Sequence, residues 1–179
     1  MLTLSIPRSL YSVRAMPDDS TSPYSFDEDS AEHYLFLGAI ITIVTDGSAT
    51  DGSLTVTEID APSGYENNLH THPPNELFYV LDGEMMMYVD QQPYHLTPGM
   101  TGFIPANRPH GFRAVGETPL HVLAIFAPAG MADFFRDVGT PVETREIPDY
   151  DGPTEEDLER MAAASPKHDM KRLGPLPPP

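Results

Sequence analysis

GYENNLHTHPPNELFYVLDG, residues 64–83, and GMTGFIPANRPHGFRA, residues 99–114, are the stretches of this 179-residue chain that decide its fold. In an extended strand successive side chains alternate faces, so His70 and His72 point the same way and form a pincer of two imidazoles. Pro73 and Pro74 then interrupt any hydrogen-bonded ladder, because proline has no N–H to donate and holds the preceding residue extended. Glu76 opens a new strand segment in which Glu76, Phe78 and Val80 share one face and Leu77, Tyr79 and Leu81 the other. The segment ends at Asp82-Gly83, which reads as a hairpin turn. With His110 from the second stretch, the spacing describes a metal site of three histidines and one glutamate: His70, His72, Glu76 and His110.

A single His-x-His pair is a weak signal, since polar residues two apart on one strand face are common. Four ligand-type side chains in register with Gly64, Gly83, Gly99 and Pro105 are far more specific. The remaining histidines carry no such pattern. His33, His95 and His168 lie in polar surroundings and read as solvated, whereas His121 sits in the apolar run 120–126, where it points either inward or outward.

Composition narrows the chemistry. The chain has no cysteine, which rules out disulfides and thiolate metal sites and leaves nitrogen and oxygen as ligands. The formal charge of −17, with only Lys167 and Lys171 as lysines, repels phosphate backbones and anionic membranes, so no nucleic-acid or membrane partner is expected. An acidic, lysine-poor surface also suits a high-salt cytoplasm, where screening removes self-repulsion. Nothing near the N-terminus has the continuous apolar stretch of a signal peptide, and no segment approaches a membrane span. A cytoplasmic location is the expectation.

Length predicts one domain with a substantial core. Residues 1–31 are rich in Pro, Ser and Asp with little apolar periodicity and read as an N-terminal arm. Residues 32–127 form the compact core, with short strand-like runs at 35–44, 54–59, 76–81, 85–89, 94–96, 102–104, 110–114 and 120–126. Regular turns between such runs predict an all-β barrel or sandwich. Residues 128–179 are a helical segment with a proline-rich tail. One helix is expected over 129–138, with Phe134 and Phe135 placed to cover a barrel mouth and a stop at Gly139-Thr140-Pro141; a second is expected from an N-cap at Thr154 to about Ser165. Leu173 and Leu176 suggest that the tail returns to pack on the barrel or on a second copy.

Residues 64–83 resemble the first conserved motif of the cupins, and residues 99–114 resemble the second. In the second, Asn107 stands where the family usually has glycine and Ala114 where it usually has asparagine; asparagine tolerates a left-handed backbone, so the turn at 107 is expected to survive. The resemblance implies the cupin double-stranded β-helix, a jelly-roll barrel with short C-terminal helices. It also implies one divalent metal held by His70, His72, Glu76 and His110. Fe(II) comes first on family frequency, while the donors also suit Mn(II), Ni(II), Cu(II) and Zn(II). Cupins are often dimers, which implies a homodimer.

The chain as a whole is similar to single-domain cupins related to quercetin 2,3-dioxygenase, through Gly102-Phe103-Ile104-Pro105, Pro109-His110-Gly111-Phe112 and Val138-Gly139-Thr140-Pro141. What that implies is an oxygenase taking O2 and a small-molecule substrate of flavonol, catechol or other enolisable type. Glu76 would be both ligand and proton acceptor, and Phe78, Phe103 and Phe112 would line the substrate pocket. Two other classes fit the same scaffold. One is a module that binds a metal or small molecule without turnover; the other is a metal-dependent isomerase or decarboxylase. The second would gain from an arginine cluster, but near the second motif only Arg108 and Arg113 occur, and both read as surface residues.

Overall fold

The computed structural model describes residues 23–27, 30–147 and 152–178; most of the expected N-terminal arm, at 1–22 and 28–29, lies outside the described residues. In chain order come β1 (Glu32–Phe36), β2 (Ala39–Thr45), β3 (Thr55–Ala61), β4 (Leu69–Thr71), β5 (Asn75–Asp82), β6 (Glu84–Val89), β7 (Gln92–Leu96), β8 (Thr101–Ile104), β9 (His110–Val115) and β10 (Leu120–Ala127). They are followed by α1 (Met131–Val138), β11 (Thr140–Val142), α2 (Glu155–Ala164), a 3-10 turn (Ser165–His168) and β12 (Lys171–Gly174). Among the described residues the strands make two antiparallel sheets. One has the order β11-β1-β2-β3-β10-β5-β8 and the other β12-β4-β9-β6-β7. This is the all-β jelly roll with short C-terminal helices expected from the motifs.

Strand alternation explains the packing. β3 buries Thr55, Thr57, Ile59 and Ala61, and β10 buries Leu120, Val122, Ala124 and Phe126, with partly exposed residues between them. β5 turns Glu76, Phe78 and Val80 inward and leaves Tyr79 and Leu81 outside. The inner faces meet in one apolar cluster that joins Phe78, Val80 and Val122 of the larger sheet to Met85, Met87 and Phe112 of the smaller. Each such side chain contributes roughly 1.5–3 kcal/mol on leaving water.

Two sequence expectations need correction. The run 35–44 is two strands, because Leu37 and Gly38 take φ of 51° and 94° and make a tight hairpin turn between β1 and β2. The apolar side chain of Leu37 conceals that turn in the hydropathy pattern. Asp82-Gly83 is no hairpin, since β5 belongs to the larger sheet and β6 to the smaller. The chain turns a corner there, and Gly83 is held at φ 73° so close to β10 that a Cβ would stand 2.3 Å from the carbonyl oxygen of Pro119. Pro73-Pro74 marks a second crossing, between β4 of the smaller sheet and β5 of the larger.

The C-terminal part closes one mouth of the barrel. α1 buries Met131, Phe134, Phe135 and Val138, and Phe36 of β1 meets the Phe134 and Phe135 rings edge-on at 6.0 and 5.5 Å. α2 starts at a capping box in which the Thr154 side chain and the Asp157 carboxylate satisfy each other's backbone N–H groups. Two short strands not expected from the sequence complete the sheet edges: β11 pairs with β1, and β12 pairs with β4. Leu176 packs inside at 7 % exposure while Leu173 is left 51 % exposed.

The corner at Gly83 makes a specific prediction. Gly83→Ala combines a positive φ with a clash against backbone atoms that cannot yield, and is expected to cost roughly 3 kcal/mol or more. Gly99→Ala, at φ 87° with nothing near the added Cβ, should cost only about 1–2 kcal/mol. Denaturant midpoints of the two variants give the comparison; equal losses would show that close packing at Gly83 contributes nothing beyond its backbone conformation.

Candidate metal centre

The proline corner brings ligands from both sheets together. His70 sits in β4 of the smaller sheet, His72 at the turn that follows, and Glu76 in β5 of the larger. His110 opens β9 directly opposite His70 in register. The imidazole centroids lie 4.2 Å apart for His70 and His110, 4.7 Å for His72 and His110, and 5.7 Å for His70 and His72. One ring nitrogen of each lies within 4.8 Å of those of the other two.

Backbone carbonyls fix the rings. Nδ1 of His70 donates to the carbonyl of Asn68 at 2.8 Å, that of His72 to Pro74 at 3.0 Å, and that of His110 to Arg108 at 2.7 Å. A carbonyl can only accept, so Nδ1 carries a proton in all three and Nε2 is the atom offered to the centre. The turn of the second motif is tied to the first: Asn107, at φ 60°, donates its N–H to the carbonyl of His72 at 2.9 Å. That is the left-handed position at which asparagine was expected to replace glycine.

Glu76 faces this set from the opposite sheet, with Oε2 3.3 Å from Nε2 of His72 and 3.1 Å from Nε2 of His110. Burial raises the Glu76 carboxyl, but the close approach of the His110 and His72 imidazoles outweighs it and holds the group down at about 2. His70 is pushed down to about 3, mainly by burial and then by the charge of His110, so it is a neutral imidazole at neutral pH. For His110 burial lowers the pKa, yet the Glu76 carboxylate raises it above its ordinary value.

The donor set fits a divalent cation. His110 Nε2 is buried and, although near Glu76, is not aligned for a hydrogen bond, which leaves a polar atom orphaned in the protein interior. An unsatisfied buried nitrogen costs about 1–3 kcal/mol, and coordination by a cation shared with His70, His72 and Glu76 would supply the missing partner. Three imidazoles and one carboxylate suit first-row divalent metals without choosing among them.

The four side chains stand in the wall of a cavity of about 80 Å³, room for a handful of waters or a small organic group. Phe78 and Phe112 line it, together with Phe36, Phe126, Phe134 and Phe135. Phe103 does not. β8 turns Gly102 and Ile104 inward, so Phe103 between them projects from the outer face and is 58 % exposed. Period-two alternation already contained that answer. His121 also points outward, 3.2 Å from Glu58. Arg172, from β12, lines the cavity without any forewarning in the sequence.

Residues 56–126 match the family described as the cupin domain, and the barrel of this chain is a cupin. It is similar to quercetin 2,3-dioxygenase of Bacillus subtilis, 30 % identical over 131 residues that cover 73 % of this chain and 39 % of that one. An uncharacterized protein of Methanocaldococcus jannaschii is 31 % identical over 75 residues, 41 % of this chain and 60 % of that one. The chain thus spans less than two thirds of either relative. Among solved structures, KdgF from Halomonas sp. superposes with a TM-score of 0.56 at 19 % identity, covering 63 % of this chain and 99 % of that one, which is likeness of fold alone. Among the described residues no helix is long and apolar enough to cross a membrane.

The titrations give a testable pH dependence for protein stripped of metal. His70 resists protonation in the fold, so stability falls as pH drops from about 6.5 towards about 3, where the unfolded chain takes up the proton and the folded chain does not. Glu76 adds a loss in the same direction between about 4.5 and about 2. His110 acts oppositely, its contribution being lost as pH rises through its raised value. The thermal midpoint is expected to decline on acidification from pH 6.5 and His70→Gln to flatten the upper part of that decline; an identical profile in the variant would remove His70 from the account.

Proposed function

We propose that this cupin is a metal-dependent dioxygenase of the quercetinase kind, acting with O2 on an enolisable substrate, with a single-ring catechol type suiting the cavity of about 80 Å³ better than a whole flavonol. The observation that carries the reading is the placement of three imidazoles and Glu76 in the wall of a mainly apolar cavity to which Phe36, Phe78, Phe112, Phe126, Phe134 and Phe135 contribute. The 30 % identity to quercetin 2,3-dioxygenase supports it. His70, His72, Glu76 and His110 would hold the ion, with Fe(II) the first choice. A divalent ion there would lower the pKa of a chelated hydroxyl and supply the one-electron chemistry that O2 requires.

The chain's own residues account for the rest. Phe78, Phe112 and Phe126 provide flat apolar walls for a conjugated ring, and Phe134 and Phe135 of α1 keep water from the same space. Glu76 is ionised at neutral pH and aimed at the centre by His72 and His110. It accepts the proton released when the substrate O–H bond breaks, through a carboxylate oxygen, and the electron pair of that bond stays on the substrate.

Glu76→Gln keeps the shape and removes the base. This variant is expected to retain most of its metal through the three histidines and to lose about 100-fold or more in turnover, whereas His72→Ala loses metal and turnover together. Metal analysis and O2 uptake with flavonols, catechols and β-diketones measure both. A wild-type protein loaded with Fe, Mn, Ni or Cu that binds one of these tightly but consumes no O2 would make it a binding module instead.

A further inference from the structure

Arg172 in β12 lies directly opposite His70 in β4. Residues paired in this way project from the same face of a sheet, with Cβ atoms about 4.5–5.5 Å apart, and Arg172 accordingly joins His70 in the cavity wall. His70 is the partly exposed member of the ligand set; His72, Glu76 and His110 are buried. The His70–Arg172 pair therefore marks the open side of the site.

The charge at Arg172 is unbalanced. Arg108, Arg113, Arg136, Arg145 and Arg160 each pair with one or more carboxylates. Arg172 has no carboxylate partner among the described residues, in a chain where 27 acidic residues face 10 basic ones. Arg172 is exposed, at the solvent-facing rim of the cavity, so its guanidinium is hydrated and free to meet an anion that also reaches the centre. An anionic group on a ligand held at the centre would lie within reach of this guanidinium.

We propose that Arg172 is a specificity-determining residue that selects a substrate carrying a carboxylate in addition to its chelating oxygens, an aromatic acid of the dihydroxybenzoate type. The proposal rests on the metal-centre reading above, not on turnover. The planar guanidinium offers two parallel N–H groups to the two carboxylate oxygens, a match that a neutral catechol lacks. The ring would lie against Phe78 and Phe112, between the metal ligands and the arginine.

The test is calorimetric titration of the full-length protein loaded with Zn(II), so that no O2 is consumed, using catechol, 2,3-dihydroxybenzoate and 3,4-dihydroxybenzoate. Wild type is expected to bind at least one acid about tenfold or more tightly than catechol. Arg172→Gln should reduce that preference to within about twofold, Arg172→Lys should keep part of it, and zinc content should be the same in all three proteins. Equal affinity for acid and catechol in wild type, a preference that survives Arg172→Gln, or no binding of either acid overturns the proposal. Reloading with Fe(II) separates it from the catalytic reading, because an acid that binds through Arg172 without O2 uptake leaves this assignment standing whatever the wider metal and substrate screen returns for the dioxygenase.

Discussion

Three imidazoles and a carboxylate cannot sit inside an apolar barrel unless each is held by a partner, and that constraint organises the structure around them. Unpaired polar groups in such surroundings cost several kcal/mol each. The cost is met here by main-chain carbonyls at Asn68, Pro74 and Arg108, each two residues from the histidine it orients. Such carbonyls are free only where the ladder is interrupted. The prolines at 73, 74 and 109 lie at those interruptions, so the backbone breaks that seem to weaken the sheets are what allow the histidines inside them.

The carboxylate meets a different condition. Glu76 lies on a regular strand, with neither a cap nor a turn to help it, and its inward direction follows only from sharing a face with Phe78 and Val80. It is stabilised across the barrel by His72 and His110, which arrive from the other sheet. The centre therefore ties the two sheets together at the same mouth where α1 packs. Loss of His72 or His110 removes a neighbour of the buried Glu76 carboxylate in an environment that penalises an unpaired charge.

How much of this was legible follows the range of the interactions. The convergence of His70, His72, Glu76 and His110 and the inward face of β5 were readable because strand alternation is a local rule with period two, and the same rule places Phe103 outside between the inward Gly102 and Ile104. The hairpin at Leu37-Gly38 was hidden because an apolar residue occupies a position of positive φ, which hydropathy does not register. The corner at Gly83 looked like a hairpin because a turn dipeptide carries no information about which sheet receives the next strand. β12 was beyond reach for a stronger reason: Lys171–Gly174 has no strand pattern of its own and is extended because the edge of β4 offers it hydrogen-bonding partners. Arg172 enters the cavity only through that pairing.

The boundaries of the cupin match have a bearing on how such a protein can change. Residues 56–126 contain all four candidate metal ligands, whereas Phe36, Phe134, Phe135 and Arg172 lie outside that interval. The cavity wall is thus shared between the matched interval, which supplies Phe78, Phe112 and Phe126, and the flanking segments, which complete it. Changes in the flanks can therefore reshape part of the cavity without altering the strands that carry His70, Glu76 and His110.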